Sequence, residues 1–162
     1  MSLDSRGFRD LWGNFATGVT VVTTDVEGWL HGMTANGVAS ISLEPLLMIV
    51  AVDKNTRCHG QLHAARKFGV SFLAEEQEPI SSAFAKRGEP EHGSLRGFPF
   101  HAGPHGTPLL DGAMAYLECR LSDVLPGGDH DLFVGEALSG EIVRAEATPL
   151  LFFRGRYRKI GA

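Results

Sequence analysis

The sequence has 162 residues and a mass of 17.5 kDa, with 43% hydrophobic and 21% charged residues. This length matches one domain of usual size, so we expect a single domain over residues 1–162. The composition excludes extensive disorder, and the formal net charge of −4 argues against a broad binding surface for nucleic acid or anionic lipid. The longest apolar run spans residues 46–52, far short of the roughly 20 residues that cross a bilayer. We therefore predict neither a nucleic-acid partner nor a membrane partner.

Two features of the sequence bear on the cellular compartment. No apolar segment precedes the charged Asp4 and Arg6, so we expect no secretory signal. Cys58 and Cys119 are the only cysteines, too few for a disulfide framework, and we expect both to be free thiols. Together these features predict a cytoplasmic protein.

The glycines and prolines separate short apolar runs, a pattern that predicts many short strands joined by turns. In the first half of the chain we predict a helix over 4–15 that caps the core, a strand over 19–24, a turn at 27–28, a strand over 30–42, a central strand over 46–52 covered on both faces, and a helix capped by Asn55 or Thr56 that runs to about 64. In the second half we predict a strand over 67–73, a helix over 76–86, a long irregular loop over 87–112, and strands over 113–124, 132–145 and 150–160 with a tight turn at 126–129. An antiparallel barrel with two or three small helices accounts for this order.

Small and hydroxyl side chains occupy residues 32–42, where a buried strand usually carries large apolar ones. Such side chains let the backbone approach a planar ligand closely and leave backbone polar groups free for the edge of a heteroaromatic ring. A β-bulge at Gly37 on an edge strand explains the same composition without a ligand. From this segment alone, both explanations stay open.

The segment Lys54, Asn55, Thr56 and Arg57 combines two cations with two potential capping side chains. It lies at a predicted helix start, where unpaired N–H groups and the helix dipole favour an anion such as phosphate. A solvated, capped loop is the alternative. Because residues 32–42 and 54–57 belong to consecutive predicted strands, a ring on one and a phosphate on the other would fit a single nucleotide-like molecule.

The histidines offer weaker evidence of chemistry. His130 follows a Gly-Gly turn and lies between two aspartates, an exposed position from which an imidazole contacts either a ligand or solvent. His59 and His63 are spaced for one helix face, but together with Cys58 they match no established zinc pattern, so we predict no metal site. No serine-hydrolase, dinucleotide or Walker motif occurs in the sequence.

Several motifs, taken together and in this order, resemble those of the flavin reductase-like family of short NAD(P)H:flavin oxidoreductases. They are FATGVTVVTT from Phe15, GMTAN from Gly32, SISLEP from Ser40, FA from Phe84, GDH from Gly128, and PLLFFRGRY from Pro149. The resemblance covers residues 8–157. It implies a mainly β fold, an antiparallel Greek-key FMN-binding split β-barrel with a few short helices, and usually a homodimer with the flavin near the subunit interface.

The resemblance also implies ligand contacts, position by position. The flavin is FMN, with FAD as the alternative, and its binding residues correspond to Thr34, Ala35, Asn36, Gly37, Ser40 and Ser42 around the ring and to Asp53, Lys54, Asn55, Thr56 and Arg57 around the ribityl chain and phosphate. The nicotinamide-binding residues correspond to His130, Arg154, Gly155 and Tyr157. Two departures stand out, because family members often have serine where this chain has Gly37, and residues 87–106 lack the usual aromatic-rich run.

The activity that the resemblance implies is hydride transfer from NADH or NADPH to the flavin, with reduced flavin passing to an oxygenase component. The cofactors carry this chemistry, so we predict no catalytic side chain and expect His130 to position the nicotinamide. Two alternatives remain. One is an electron carrier or sensor that keeps FMN tightly bound, and the other is a pyridoxamine-phosphate-oxidase-like enzyme built on the same barrel.

Overall fold

The computed structural model describes residues 2–161, and the two ends of the expected domain, Met1 and Ala162, lie outside the described residues. The helices are α1 (Ser5–Trp12), α2 (Arg57–Ala65) and α3 (Glu78–Phe84), the last preceded by a 3-10 turn at Glu75–Gln77. The strands are β1 (Thr17–Gly18), β2 (Thr20–Val26), β3 (Trp29–Ala35), β4 (Val38–Leu43), β5 (Leu46–Asp53), β6 (Lys67–Phe72), β7 (Glu91–His92), β8 (Phe100–Ala102), β9 (Pro108–Leu110), β10 (Ala115–Gly127), β11 (His130–Ile142), β12 (Leu151–Phe153) and β13 (Arg156–Arg158).

An eight-stranded antiparallel sheet in the order β4-β5-β11-β10-β6-β2-β3-β7 forms the main body of the fold. Strands β1, β12 and β13 form a smaller sheet, and β8 pairs with β9. Within residues 2–161 no pairing joins β4 to β7, so the main sheet keeps two open edges. The hairpin of β10 and β11 turns at Gly128 and Asp129, inside the predicted turn. The φ of 74° at Gly128 favours a residue without a Cβ atom.

Apolar side chains pack on both faces of the main sheet. One cluster brings α2 against strands β2, β5, β6 and β11, and it includes Val22, Val50, Leu62, Phe68 and Phe133. The other cluster brings α3 against β2 and β3, and it includes Val21, Leu30, Leu73, Phe84 and Leu150. The first five residues of β2 are all buried, so β2 is the strand that is covered on both faces.

The strand β5 lies next to a sheet edge and is buried on one face only, which corrects the prediction of a central strand covered on both sides. Met48, Val50 and Val52 are buried, whereas Ile49 and Ala51 are half-buried and line a cleft. An apolar run predicts that a residue will be covered, but it does not distinguish cover by the same chain from cover by a ligand or a second copy.

Residues 30–42 form two strands, whereas the prediction was one. Strand β3 ends at Ala35 and pairs with β2, while β4 begins at Val38 and pairs with β5. Asn36 and Gly37 therefore carry the chain from one side of the sheet to the other. The bulge that we considered at Gly37 lies instead between Ser40 and Ser42, where the register of β4 shifts against β5.

Helix α1 has no buried residue, so the prediction that it caps the core is wrong. Phe8, Leu11 and Trp12 form its apolar face, and each is more than half exposed. The carbonyl of Gly13 accepts a hydrogen bond from the Arg154 N–H at 2.9 Å, which ties the end of the helix to the β12–β13 turn. The helical spacing identified an apolar face correctly but did not indicate what covers it.

The predicted loop over residues 87–112 is more ordered than expected. It contains β7, β8 and β9, and it contributes the buried Leu95, Leu109 and Leu110. Strands of two or three residues carry too little periodicity to be detected in a sequence. For the same reason, the single strand predicted over 150–160 is the hairpin of β12 and β13.

Candidate functional site

An apolar cleft of about 930 Å³ lies between α1, the β3–β4 connection and the β12–β13 turn. Phe8, Trp12 and Phe15 line one side, and Ile49 and Ala51 of β5 line another. The polar groups of the cleft come from a few positions, namely Arg9, Asp10, Thr17, Asn36 and Arg154. A large apolar cleft with few polar groups is typical of a binding site for a small molecule.

Gly37 brings the backbone close to β5 at the edge of this cleft. Its carbonyl accepts a hydrogen bond from the Ala51 N–H at 2.9 Å. A Cβ atom added at Gly37 would meet only the Ala51 Cβ, at an ordinary contact distance of 3.4 Å. The site therefore has room for a small side chain at Gly37, the position at which the resemblance implies serine in many family members.

A second cavity, of about 540 Å³, lies between β3, the start of α2 and the end of α3. It is strongly basic, because Lys54, Arg57, Lys86 and Arg87 all line it. Among the described residues that line it, Glu89 is the single carboxylate. This charge distribution favours an anion.

Gly32 of β3 and Phe84 of α3 both line the basic cavity, and the two elements are in close contact there. A Cβ atom on Gly32 would lie 2.7 Å from carbon atoms of the Phe84 ring, so only glycine allows the helix this close to the strand.

Burial and repulsion by Arg96 lower the pKa of His31, with a smaller opposing effect of Glu89, so its imidazole is neutral at pH 7. Burial raises the pKa of the Cys58 thiol to about 12, so this cysteine is no thiolate nucleophile.

Residues 53–57, the segment predicted to bind a phosphate, form a turn that leads into α2. The Asp53 carboxylate accepts the Asn55 N–H at 2.8 Å, and the Thr56 hydroxyl donates to the Asp53 carbonyl at 2.8 Å. Thr56 occupies the N-cap position, but its side chain makes no capping hydrogen bond to α2. The first backbone N–H groups of α2 therefore have no side-chain acceptor at the cap.

Lys54 links this segment to the β10–β11 turn. Its ammonium donates to the Gly128 carbonyl at 2.8 Å and lies 3.8 Å from a carboxylate oxygen of Asp131. The other Asp131 oxygen is 2.7 Å from Nε2 of His59, and the hydrogen bond from His59 is the main cause that lowers the pKa of Asp131. His130 pairs in register with Asp53, so the structure brings the predicted nicotinamide histidine beside the predicted phosphate segment.

Of the predicted flavin-ring residues, Asn36 and Gly37 line the apolar cleft and none lines the basic cavity. Met33 of β3 lines the basic cavity, and Asn36, the first residue after β3, lines the apolar cleft. Thr34 and Ala35 lie between them and line neither. The Thr34 hydroxyl donates to the Ser81 carbonyl at 2.6 Å, and Ala35 is buried.

The remaining predicted residues are spread more widely. Arg154 and Gly155 line the apolar cleft with Asn36 and Gly37. Ser40 and Ser42 lie on the edge strand β4 and line neither cavity. The Tyr157 hydroxyl is 2.7 Å from Oγ of Ser81, so this tyrosine contacts α3 rather than either cavity.

Sequence reasoning missed four residues of the basic cavity: His31, Lys86, Arg87 and Glu89. A signal for two of them was present, because the basic pair Lys86 and Arg87 directly follows the FA motif at Phe84. His31 and Glu89 carried no comparable signal. Their proximity to the site follows from the packing of β3 and α3.

Three other properties of residues 2–161 bear on the kind of site. No group of three or more histidine, cysteine, aspartate or glutamate side chains in this range is arranged to hold a metal ion. No helix in this range has the length and hydrophobicity that crossing a bilayer requires. Both cysteines are free and buried, which confirms the prediction of two thiols.

A sequence profile described as the flavin reductase like domain matches residues 12–161. The chain belongs to the flavin reductase-like family. Among its relatives, the flavin-dependent monooxygenase reductase subunit HsaB of Rhodococcus jostii (strain RHA1) is 36% identical over 159 residues, which cover 98% of this chain and 80% of that protein. The NADH-dependent flavin reductase StyB of Pseudomonas fluorescens is 38% identical, with 97% of this chain and 91% of that protein covered.

Solved structures agree with this family membership. The NADH:FAD oxidoreductase SgcE6 of Streptomyces globisporus C-1027 superposes with a TM-score of 0.92 at 34% identity, over 100% of this chain and 98% of that one. The same protein has been solved in complex with NAD and FAD fragments. The flavin reductase-like resemblance is thus confirmed, and so is the mainly β split-barrel fold class, with its sheet left open.

Proposed function

We propose that this protein is a flavin reductase that transfers a hydride from NADH to FMN or FAD and supplies the reduced flavin to a separate monooxygenase. The observation that carries the proposal is that one stretch of chain borders both cavities: Gly32 and Met33 of β3 line the basic cavity, and Asn36 and Gly37 of the β3–β4 connection line the apolar cleft. Relatives named as NADH-dependent flavin reductases and as monooxygenase reductase subunits support it.

The two cavities fit the two ends of a flavin mononucleotide. Lys54, Arg57 and the first N–H groups of α2 offer charge and donors for the phosphate. Asp53, Asn55 and Thr56 shape the turn that holds these groups in place. The apolar cleft beside Asn36 and Gly37 offers a surface for the ring, with Thr34 and Ala35 holding the strand between the two cavities.

The nicotinamide is assigned to Arg154 and Gly155, which line the apolar cleft, and to His130, which lies beside the predicted phosphate segment. When bound, the flavin supplies the redox chemistry, since its ring accepts the hydride. In this proposal His130 orients the nicotinamide from the β10–β11 turn, and Arg154 and Gly155 border the cleft that would hold the flavin ring. Tyr157 acts as a positioning residue through its contact with Ser81 and α3. These side chains supply geometry and exclusion of water rather than a proton.

We also propose a homodimer. The apolar face of α1 is exposed and lines the cleft, and the edge strand β4 exposes Ile41 and Leu43. A second copy that covers this surface would add its own groups to the cleft. In such a dimer Ser40 and Ser42, which lie on the edge strand β4, would be near the flavin through the subunit interface.

Residues 1–162 form one domain in this proposal, because β2 contributes side chains to both core clusters. We assign the protein to the cytoplasm. Two buried free thiols are typical of a reducing compartment, and NADH is a cytoplasmic donor.

The test is NADH and NADPH oxidation at 340 nm by the purified protein, with and without added FMN, FAD or riboflavin. Rapid oxidation that requires added flavin is the expected result. A yellow protein that retains its flavin and oxidises neither nicotinamide would overturn the proposal in favour of an electron carrier or sensor. Turnover of pyridoxamine phosphate would instead indicate the oxidase-like alternative.

A further inference from the structure

We propose that Glu89 competes with the flavin phosphate for Arg57 and thereby sets a low affinity of this reductase for phosphate-bearing flavins. This inference rests on the proposed function, because it concerns the same basic cavity. It assigns a role to a residue that no sequence motif indicated.

The contact between the two side chains is direct. Nε of Arg57 lies 2.9 Å from one carboxylate oxygen of Glu89 and 2.8 Å from the other. Both residues line the basic cavity, one from the start of α2 and the other from the segment after α3. An anion that binds the Arg57 guanidinium must therefore share it with Glu89 or displace it.

Glu89 is easy to displace, whereas Asp131, a carboxylate that lies near Lys54, is held in place. The side chains of Arg57 and Glu89 are 67% and 69% exposed, and residues 87–90 have no regular secondary structure. Asp131, by contrast, is only 17% exposed, belongs to β11 and is held by His59 at 2.7 Å. An exposed ion pair contributes little to stability, so exchange of one anion for another on Arg57 costs little.

A weakened phosphate site suits an enzyme whose product is reduced flavin. A reductase that supplies another enzyme must release its flavin, and very tight phosphate binding would make that release slow. The cations Lys54, Lys86 and Arg87 attract the phosphate, while the carboxylate of Glu89 opposes it. Glu89 thus offsets part of the affinity that the four cations provide.

The proposal predicts that removing the Glu89 charge changes the binding of flavins that carry a phosphate and leaves the binding of riboflavin, which has none, unchanged. We expect Glu89→Gln to tighten FMN and FAD binding by about threefold to tenfold and to leave riboflavin binding within about twofold of wild type. Equilibrium dissociation constants from flavin fluorescence titration at low and high salt measure this. The gain should shrink at high salt, because exposed charges are screened.

Two further variants make the test specific. Glu136→Gln removes a carboxylate from the exposed Arg120–Glu136 ion pair, which lines neither cavity, and it should change no flavin affinity. In an Arg57→Ala background, Glu89→Gln should tighten FMN binding by less than it does in wild type, because the shared guanidinium is gone.

Unchanged or weaker FMN binding in Glu89→Gln would overturn the inference, and weaker binding would show that Glu89 orients Arg57 for the phosphate. An Arg57→Ala variant that binds FMN as well as wild type would overturn it too. Failure of the wild-type protein to bind any of the three flavins would instead overturn the proposed function itself.

Discussion

Gly37 is a residue at which this chain departs from the family pattern and at which the structure gives a reason to test the departure. The glycine borders the apolar cleft, and an added Cβ would make only an ordinary contact with Ala51. It has no positive φ that would strain another residue. The glycine is therefore not required by the fold.

We expect Gly37→Ser to tighten flavin binding by roughly threefold to tenfold, since its hydroxyl adds one hydrogen bond to the bound ring. Gly37→Ala is the matched control, because it adds the Cβ without the hydroxyl and should bind flavin as wild type does. Riboflavin titration followed by fluorescence separates the two. Equal affinities for the serine and alanine variants would contradict a role for the hydroxyl.

His130 is the residue whose role depends most directly on strand register. It pairs with Asp53, and its Nδ1 lies 2.7 Å from a carboxylate oxygen of Asp129. We expect His130→Ala to raise the KM for NADH roughly tenfold while the flavin dissociation constant stays unchanged, because the imidazole orients the nicotinamide only.

His101→Ala provides the control, since His101 forms a similar exposed pair with Asp111 and lines neither candidate cavity. Steady-state kinetics at saturating flavin give the two KM values. A wild-type KM in the His130 variant would remove this residue from the nicotinamide site.

At the scale of single residues, the motifs indicated some of the residues that line the two cavities, but also residues such as Ser40 and Ser42 that line neither. Asn36, Gly37, Lys54 and Arg57 all line one of the two cavities, as their motif positions implied. Glu89 could not be found in this way. Its contact with Arg57 crosses from the end of α3 to the start of α2, and no local pattern encodes a distance between two elements.

At the scale of elements, Glu118 of β10 fixes the turn between β8 and β9. Its carboxylate is only 1% exposed and accepts hydrogen bonds from the backbone of His105, from the backbone and hydroxyl of Thr107, and from Ser139. Burial alone raises the pKa of Glu118, but these hydrogen bonds outweigh burial, so the net pKa is below its usual value.

We expect Glu118→Gln to lower the free energy of unfolding by about 2 kcal/mol at pH 7, because an amide cannot accept all of these donors. A carboxylate with a lowered pKa stabilises the fold above about pH 4.3, its unfolded-state value, and this contribution is lost as the pH falls through the folded-state pKa. The difference between variant and wild type should therefore shrink in acid.

Urea unfolding at pH 7 and at progressively lower pH measures this difference. Glu141→Gln is the control, since Glu141 is exposed on the neighbouring strand β11. A Glu118 variant as stable as wild type at pH 7 would contradict the role of the buried carboxylate.

At the scale of elements, the sequence predicted the positions of helices and strands better than it predicted what their apolar faces pack against. Helix α2 was predicted to begin after Asn55 or Thr56 and to end near 64, and it runs over Arg57–Ala65 with Thr56 at the N-cap position, because the polar residues that end β5 are a local signal. Helix α1 and strand β5 were also found, but their cover was predicted wrongly. Both are apolar where they line the same cleft, so their sequences carry information about contacts beyond their own sheet.

At the scale of the whole molecule, the exposed apolar surface is the strongest argument for self-association. The side chains of Phe8, Leu11, Trp12 and Phe15 are each between 53% and 65% exposed, and Leu43 on the edge strand β4 is 81% exposed. Soluble monomers rarely expose contiguous apolar surface on this scale. We therefore expect the wild-type protein to have twice the 17.5 kDa mass of the chain in solution.

We expect Leu11→Glu to yield a monomer and to weaken flavin binding at least tenfold, since a charge on the apolar face of α1 opposes burial against a second copy. Light scattering coupled to gel filtration gives the mass, and riboflavin titration gives the affinity. Trp29→Glu is the control: Trp29 is 51% exposed on β3, toward the opposite edge of the main sheet from β4, so this variant should stay dimeric. Because Leu11 itself does not line the cleft, a joint loss of dimer and flavin would link the interface to the site. A Leu11 variant that stays dimeric would exclude α1 from the interface, and a monomer that binds flavin normally would show that one chain completes the site.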